Sequence, residues 1–183
     1  AKGGGKTAVA AGIGLYGLIA DREPAAEIYS AAGTREQASI CFRDARMMAE
    51  SSPTLRSRLD IGLYNLACLA TGSFFRPVSS EHRGLDGKRV HMGLIDEIHE
   101  HHTAAVVDKI RAGTKARNQA LIVEITNSGY DKSTICWQHH DYSRKILEGA
   151  LQDDSWFAYV CGLDACQKCH DGGADGPVDG CPD

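Results

Sequence analysis

Two rhythms of apolar and polar positions alternate along this chain. From residue 6 to residue 20, Ala, Leu and Ile recur densely enough for a buried helix, which Asp21 and Pro24 bring to an end. Ala26 to Ala32 (AEIYSAA) is a short extended run closed by Gly33. Thr34 then supplies a helix N-cap, and Gln37, three residues on, completes a capping box for a helix to about Ala49. Ser52-Pro53 opens a shorter helical piece, and Leu66–Leu69 with Ser73–Val78 form a hairpin around Ala70-Thr71-Gly72. A polar loop, Ser79–Arg89, leads into Val90–Ile95 (VHMGLI), nearly continuous in apolar residues as a buried strand is. The pattern then predicts a helix over Thr103–Ala116, a strand over Leu121–Ile125, a helix over Ser133–Gly149 and a last strand over Trp156–Val160. Strands separated by helices imply a parallel sheet with crossover helices, an α/β domain.

Both ends read as cuts. Ala1-Lys2-Gly3-Gly4-Gly5-Lys6-Thr7 is a glycine loop that enters a helix with no strand ahead of it, and Gly180-Cys181-Pro182-Asp183 stops inside a Cys-rich loop. The expectation is a domain over residues 1–160, lacking the strand before its glycine loop, followed by a Cys/Gly-rich segment over 161–183.

Composition narrows the class. The chain has 183 residues, 43% hydrophobic and 24% charged, with a net charge of -4, which excludes disorder. No apolar run approaches the about 20 residues of a membrane span, and no charged-then-apolar leader opens the chain, so no membrane partner is expected. Lys+Arg of 20 against Asp+Glu of 24 excludes a strongly basic nucleic-acid clamp, although a DNA motor need not be basic overall. An odd count of 7 Cys without a leader argues against a disulfide framework and for a reducing cytoplasm. Cys41, Cys68 and Cys136 sit singly in apolar stretches, as buried small hydrophobes do.

The chemistry begins at Gly5-Lys6-Thr7. Glycines let backbone N–H groups approach phosphate oxygens at a helix N-terminus, a Lys reaches the β- and γ-phosphates, and a Thr hydroxyl completes a Mg²⁺ shell. The first Gly of the full phosphate-loop pattern would fall one position before Ala1, and a flexible glycine-rich end is the plainer alternative. The strand Val90–Ile95 runs into Asp96-Glu97. Adjacent carboxylates after a buried strand are costly unless a cation or a reaction uses them. In ATPases with such a loop the first holds Mg²⁺ and the second polarises the attacking water, which assigns Asp96 to the metal and Glu97 to the general base. A third element, Leu121–Ile125 followed by Thr126-Asn127-Ser128-Gly129, stands where a γ-phosphate sensor is found in ATPases with an extra strand.

Together these segments resemble the ATPase domain of the large terminase subunit of tailed bacteriophages, the DNA-packaging motor. The resemblance is carried by GKTAVAAGIGLYGL from Gly5, AEIYSAAGTREQA from Ala26, GSFFRPVSSEHRGLDG from Gly72, GLIDEIHEH from Gly93, ITNSG from Ile125 and HDYSRKILEG from His140. It implies a P-loop NTPase core of the RecA-like, ASCE kind that hydrolyses Mg-ATP to drive double-stranded DNA into a procapsid in the host bacterial cytoplasm. A homo-oligomeric ring on the portal protein, a small terminase subunit and a nuclease domain elsewhere are implied as well. By the same resemblance Lys2 contacts the γ-phosphate in cis, Gly3, Gly4, Gly5, Lys6 and Thr7 cradle ATP, and Asp96 and Glu97 are Walker B. Thr126 to Gly129 match the coupling motif. A ring ATPase takes an arginine finger from its neighbour, for which Arg83 is the first candidate and Arg76 the second, a solvated surface Arg being the alternative.

Several clusters have plainer readings. His99, His101 and His102 invite Zn²⁺ or Mn²⁺, but directly after Walker B a polar helix start or a contact to the nucleotide site suffices; His139-His140-Asp141 reads as a helix face. Phe74-Phe75 reads as core, with a DNA-stacking platform as the alternative. Cys166-x-x-Cys169 has the spacing of a zinc knuckle, with Cys181 as half of a second and Cys161 and His170 as weaker partners, against free thiols in a loop. Two other functions remain open on sequence alone: a helicase or other nucleic-acid-dependent ATPase, and a zinc-bearing interaction module with an incidental glycine loop.

Overall fold

The fold was obtained as a computed structural model that describes residues 5–79, 87–101, 103–127 and 131–161. It divides into two units, Ala1–His140 and Asp141–Asp183. The first carries helices α1 (Lys6–Ile19), α2 (Arg35–Ser51), α3 (Pro53–Arg56) and α4 (Ala105–Thr114), with strands β1 (Glu27–Ala32), β2 (Asp60–Ile61), β3 (Leu66–Cys68), β4 (Ser73–Ser79), β5 (Val90–Asp96) and β6 (Leu121–Ile125). A 3-10 turn, Ile98–Glu100, follows β5, and α5 (Ile135–Leu147) passes from the first unit into the second.

The six strands form one sheet in the order β2-β3-β4-β1-β5-β6. β1 runs parallel to both β4 and β5, and β5 parallel to β6. The hairpin expected around residues 70–72 is present as antiparallel β3–β4, and β2 adds a further antiparallel strand that the pattern of the chain did not reveal. With two backbone pairs only, Asp60–Ala67 and Ile61–Leu66, β2 is too short to impose an alternation.

Helices cover both faces, and side chains alternate accordingly. Ile28, Met92 and Leu94 join Leu15, Leu18 and Phe42 in one cluster, whereas Tyr29, Ile95 and Val90 join Val107 and Ile110 in the other. All seven residues of β5 are therefore buried, which is why it reads as a nearly continuous apolar run. Phe75 is fully buried and meets Phe42 edge to face at 5.5 Å, an arrangement worth about 0.5–1.5 kcal/mol beyond area burial. Phe74 packs edge to face on Tyr29 at 5.7 Å, so both phenylalanines serve the core. Cys41, Cys68 and Cys136 are buried free thiols.

Close approach of helix to sheet depends on glycine. A Cβ on Gly14 would lie 2.8 Å from Leu94 Cδ1 and 2.8 Å from Phe75 Cε1, and one on Gly17 2.6 Å from Met92 Cε. On the other face, a Cβ on Gly93 would lie 2.4 Å from Ile110 Cγ2.

The N-terminal ends of the parallel strands are tied together. Arg117, ahead of β6, donates from Nη1 to Glu23 Oε1 at 2.8 Å and to the Pro24 carbonyl at 3.2 Å. It also donates from Nη2 to the Ala25 carbonyl at 2.7 Å and from Nε to the Arg89 carbonyl at 3.1 Å, just ahead of β1 and β5. Buried His91 bonds Asp21 through Nε2 at 2.5 Å, and Ser73 Oγ accepts from the Ala26 N–H at 3.0 Å.

In the second unit α5 ends in a Schellman motif. Gly149 adopts φ 75°, with Ala150 N–H on the Lys145 carbonyl at 2.8 Å and Gly149 N–H on the Ile146 carbonyl at 3.0 Å. The strand expected over Trp156–Val160 does not form. The segment is held through one side chain instead: Trp156 Nε1 donates to Ser143 Oγ at 3.0 Å and its ring meets Tyr142 edge to face. Asp153 accepts from the Ser155 N–H at 2.9 Å, a local turn, and no backbone ladder follows; Phe157 and Tyr159 stay 91% and 81% exposed. Alternating aromatics alone do not make a strand without an edge to pair with.

Candidate functional site: a glycine-loop lysine, paired carboxylates and a strand-end asparagine

Strand register assembles the site. Asp96 pairs with Ile125 across β5 and β6, so the residues that follow each strand, Glu97 on one and Thr126-Asn127 on the other, emerge side by side. α1 brings its N-terminus to the same place. Its N-cap is Gly5 in the left-handed region (φ 68°), no side chain caps it, and its first turn holds no acidic residue. The first intrahelical bond is Val9 N–H to the Gly5 carbonyl at 3.0 Å. The N–H groups of Lys6, Thr7 and Ala8 precede it and, with the helix dipole, favour an anion.

Side chains then interlock. Thr7 Oγ1 donates to Asp96 Oδ2 at 3.0 Å, while Asp96 Oδ1 accepts from the Glu97 N–H at 2.9 Å. Lys6 Nζ donates to Asn127 Oδ1 at 2.9 Å, and Asn127 Nδ2 faces both Glu97 carboxylate oxygens at 3.4 Å. Glu97 is held in the left-handed region (φ 50°, ψ 52°), which costs a non-glycine residue about 1–2 kcal/mol and turns its carboxylate toward Asn127. The Thr7 hydroxyl and the buried Asp96 carboxylate are hard oxygen donors in contact, a set that suits Mg²⁺. The residues thus fit a magnesium-bound phosphate.

Beside Thr7 lies Cys41, whose Sγ is 4.0 Å from the Thr7 carbonyl. Burial, and then the negative charges of Asp96 and Asp44, push its thiol up to about 12, so it stays protonated and inert at neutral pH. The capping box at α2 is present, with Gln37 N–H on Thr34 Oγ1 and Thr34 N–H on Gln37 Oε1, both at 3.2 Å. Gln37 Nε2 also donates to Glu100, tying α2 to the 3-10 turn after Glu97. A cleft of about 410 Å³ opens between these elements, lined by Gly33, Thr34, Gln37, Glu100, His101 and Val106.

Lys6, Thr7, Asp96, Glu97, Thr126 and Asn127 are thus brought together as the sequence predicts. Lys2, Gly3, Gly4, Arg83, Ser128 and Gly129 lie outside the described residues, as do His102, Cys166, Cys169, His170 and Cys181. Arg76, on β4, donates from Nε to Asn65 Oδ1 at 2.7 Å and lies over the Phe74 ring at 4.1 Å. Among the described residues no group of three or more His, Cys, Asp or Glu is arranged to hold a metal, and Cys161 is exposed. No described helix is long and apolar enough to cross a membrane. His139 lies on α5, as the helix-face reading expects, and its Nδ1 bonds Glu124 at 2.6 Å, joining α5 to β6. His99, for which the sequence suggests a polar helix start or a contact to the nucleotide site, reaches both Glu97 and Thr126 with its ring. Its only signal was its place two residues after Glu97.

A mainly parallel sheet covered on both faces, with a glycine-loop lysine at a helix N-terminus facing acidic and amide strand ends, defines a P-loop NTPase of the RecA-like kind. Residues 1–145 match the family model of the terminase large subunit, ATPase domain, and the chain belongs to that family. By fold it is similar to the large terminase of bacteriophage HK97, with a TM-score of 0.70 and 23% identity over 81% of this chain and 32% of that one. The large terminase ATPase domain of Thermus phage P74-26 follows with a TM-score of 0.60 and 19% identity over 78% of this chain and 61% of that one. Protein YmfN of Escherichia coli strain K12 is 32% identical over 79 residues, 43% of this chain and 17% of its own length. The chain therefore spans well under two thirds of the HK97 and YmfN proteins.

Proposed function

We propose that this chain is the ATPase motor of a terminase large subunit, coupling Mg-ATP hydrolysis to the packaging of double-stranded DNA into procapsids. The observation that carries the reading is the convergence of Lys6 and Thr7 with Asp96, Glu97 and Asn127 at one end of β5 and β6. It also favours the ATPase over an interaction module with an incidental glycine loop.

Lys6 and the first-turn N–H groups of α1 bind the phosphates. Thr7 and Asp96 would hold Mg²⁺, which when bound would offset negative charge on the phosphates. Glu97 orients the attacking water and accepts its proton. Asn127 and Thr126 serve as the γ-phosphate sensor, and Lys2 is assigned a contact to that phosphate in cis. Arg83 of a neighbouring subunit serves as the trans finger in a homo-oligomeric ring. That ring sits on the portal protein and works with a small terminase subunit in the host bacterial cytoplasm.

The test is Glu97→Gln in the full-length protein, with ATP binding and phosphate release measured separately. Loss of a general base lowers turnover by about 10²–10⁴-fold. ATP binding is retained, because Lys6, Thr7 and Asp96 are untouched. Phosphate release at the wild-type rate counts against the assignment.

A further inference from the structure

We infer that His99 is a positioning residue: an N–H donor that holds the Glu97 carboxylate and links it to Thr126. His99 begins from the strained backbone of Glu97, because the left-handed turn there swings the chain back so that residue 99 lies beside residue 97. Its Nδ1 is 3.1 Å from Glu97 Oε2 and 2.9 Å from Thr126 Oγ1, and its backbone N–H donates to the same Thr126 oxygen at 3.3 Å. The hydrogen-bond inventory fixes which way the ring works. Thr126 Oγ1 lies 2.8 Å from the Asn127 carbonyl, which can only accept its proton, and a longer 3.9 Å from Cys136 Sγ, which leaves its oxygen to receive from His99. An ionised carboxylate only accepts. Both neighbours of Nδ1 are therefore acceptors, and Nδ1 carries the proton.

Among the described residues the other ring nitrogen, Nε2, has Glu100 Oε1 at 4.0 Å. His99 thus divides one donor between the carboxylate oxygen and the hydroxyl of the next strand end. Asn127 approaches the same carboxylate at 3.4 Å. Glu97 is thereby restrained from two sides by groups belonging to, or bonded to, residues 126 and 127. A displacement of Thr126-Asn127 shifts the Glu97 carboxylate through His99 as well as through Asn127. A histidine that looks like surface polarity after Walker B is a joint between base and sensor.

The inference rests on the reading of Glu97 as general base, and its test separates the two. Asn places an amide N–H where Nδ1 stands, whereas Gln places it where Nε2 stands. In the full-length protein, His99→Gln and His99→Ala are expected to lower kcat by about 10–100-fold, the loss of a hydrogen bond to a charged group, with KM for ATP within about 3-fold of wild type. His99→Asn is expected to restore kcat to within about 3-fold of wild type. Equal kcat for all four proteins, or equal loss in Asn and Gln variants whose melting temperatures match wild type, overturns the inference and leaves the Glu97 assignment standing. Turnover surviving in Glu97→Gln overturns the base reading itself. A measurement independent of turnover is the tautomer of His99 in ¹⁵N-histidine-labelled wild-type protein at pH 8. The Nδ1–H form is expected, and the Nε2–H form refutes the inference.

Discussion

Three glycines of α1 allow one chemical change to be made in three packing environments. Gly→Ala in an open helix interior stabilises by about 1 kcal/mol, since Ala gives up less backbone freedom on folding. At Gly12 nothing lies within 4 Å of an added Cβ, so Gly12→Ala should show that gain undiminished. At Gly14 the same methyl arrives 2.8 Å from Leu94 Cδ1 and 2.8 Å from Phe75 Cε1, two fully buried side chains. Overpacking of this kind costs about 1–3 kcal/mol, which reverses the gain and leaves Gly14→Ala net destabilised by about 1 kcal/mol. At Gly17 the obstacle is the thioether end of Met92, at 2.6 and 2.9 Å, which can swing aside; Gly17→Ala should fall between the other two. The span from Gly12→Ala to Gly14→Ala is then about 2 kcal/mol, or about 4–8 °C in Tm for a chain of this size. Thermal melts and urea titrations of the three variants read this order directly. A secondary effect is expected at Gly14→Ala alone: lifting α1 from β5 lengthens the Thr7–Asp96 contact of 3.0 Å and weakens Mg-ATP binding. Equal stabilisation at positions 12 and 14 would refute the idea that glycine permits the close approach.

Cys41 holds its proton in the folded chain to about 12 but gives it up near 9.0 when unfolded. The unfolded state therefore binds fewer protons between these values, and stability falls by up to about 1.4 kcal/mol per pH unit above about 9. Cys41→Ala should flatten that decline in urea titrations at successive pH values, leaving the contribution of Tyr29, whose hydroxyl is raised first by burial and then by Glu27. An unchanged slope in the Ala variant would remove Cys41 from the account. Arg117→Lys cannot reproduce four bonds from a planar fork, and the urea midpoint should drop by the equivalent of about 2–4 kcal/mol. A loss below about 0.5 kcal/mol would show the clamp to be dispensable.

Much of the fold was legible because local and global signals agree in it. The Thr34–Gln37 box, the apolar run of β5 and the hairpin before Gly72 each contain their own evidence. The pairing of Lys6-Thr7 with Asp96-Glu97 was legible for a different reason: buried strand ends carry charge only where chemistry requires it. What stayed hidden depends on backbone conformation or on partners distant in sequence. The left-handed turn at Glu97 has no signature, since Glu is not a residue that favours it, and His99 acquires meaning only through that turn. The aromatic run at Trp156–Val160 misled for the converse reason. Its composition suits a strand, but in the second unit the side chain of Trp156, rather than a sheet edge, takes up its anchoring bonds.

The ties at the start of β1, β4, β5 and β6 give the sheet the mechanics of a beam gripped at one end. With Arg117, the His91–Asp21 pair and Ser73 as the grip, β5 projects about 20 Å beyond it at about 3.3 Å per residue. A gripped beam deflects least at its root and most at its tip. The tips here are Asp96, Glu97, Thr126 and Asn127, so a load applied at the candidate site acts at the end of the strands farthest from the grip.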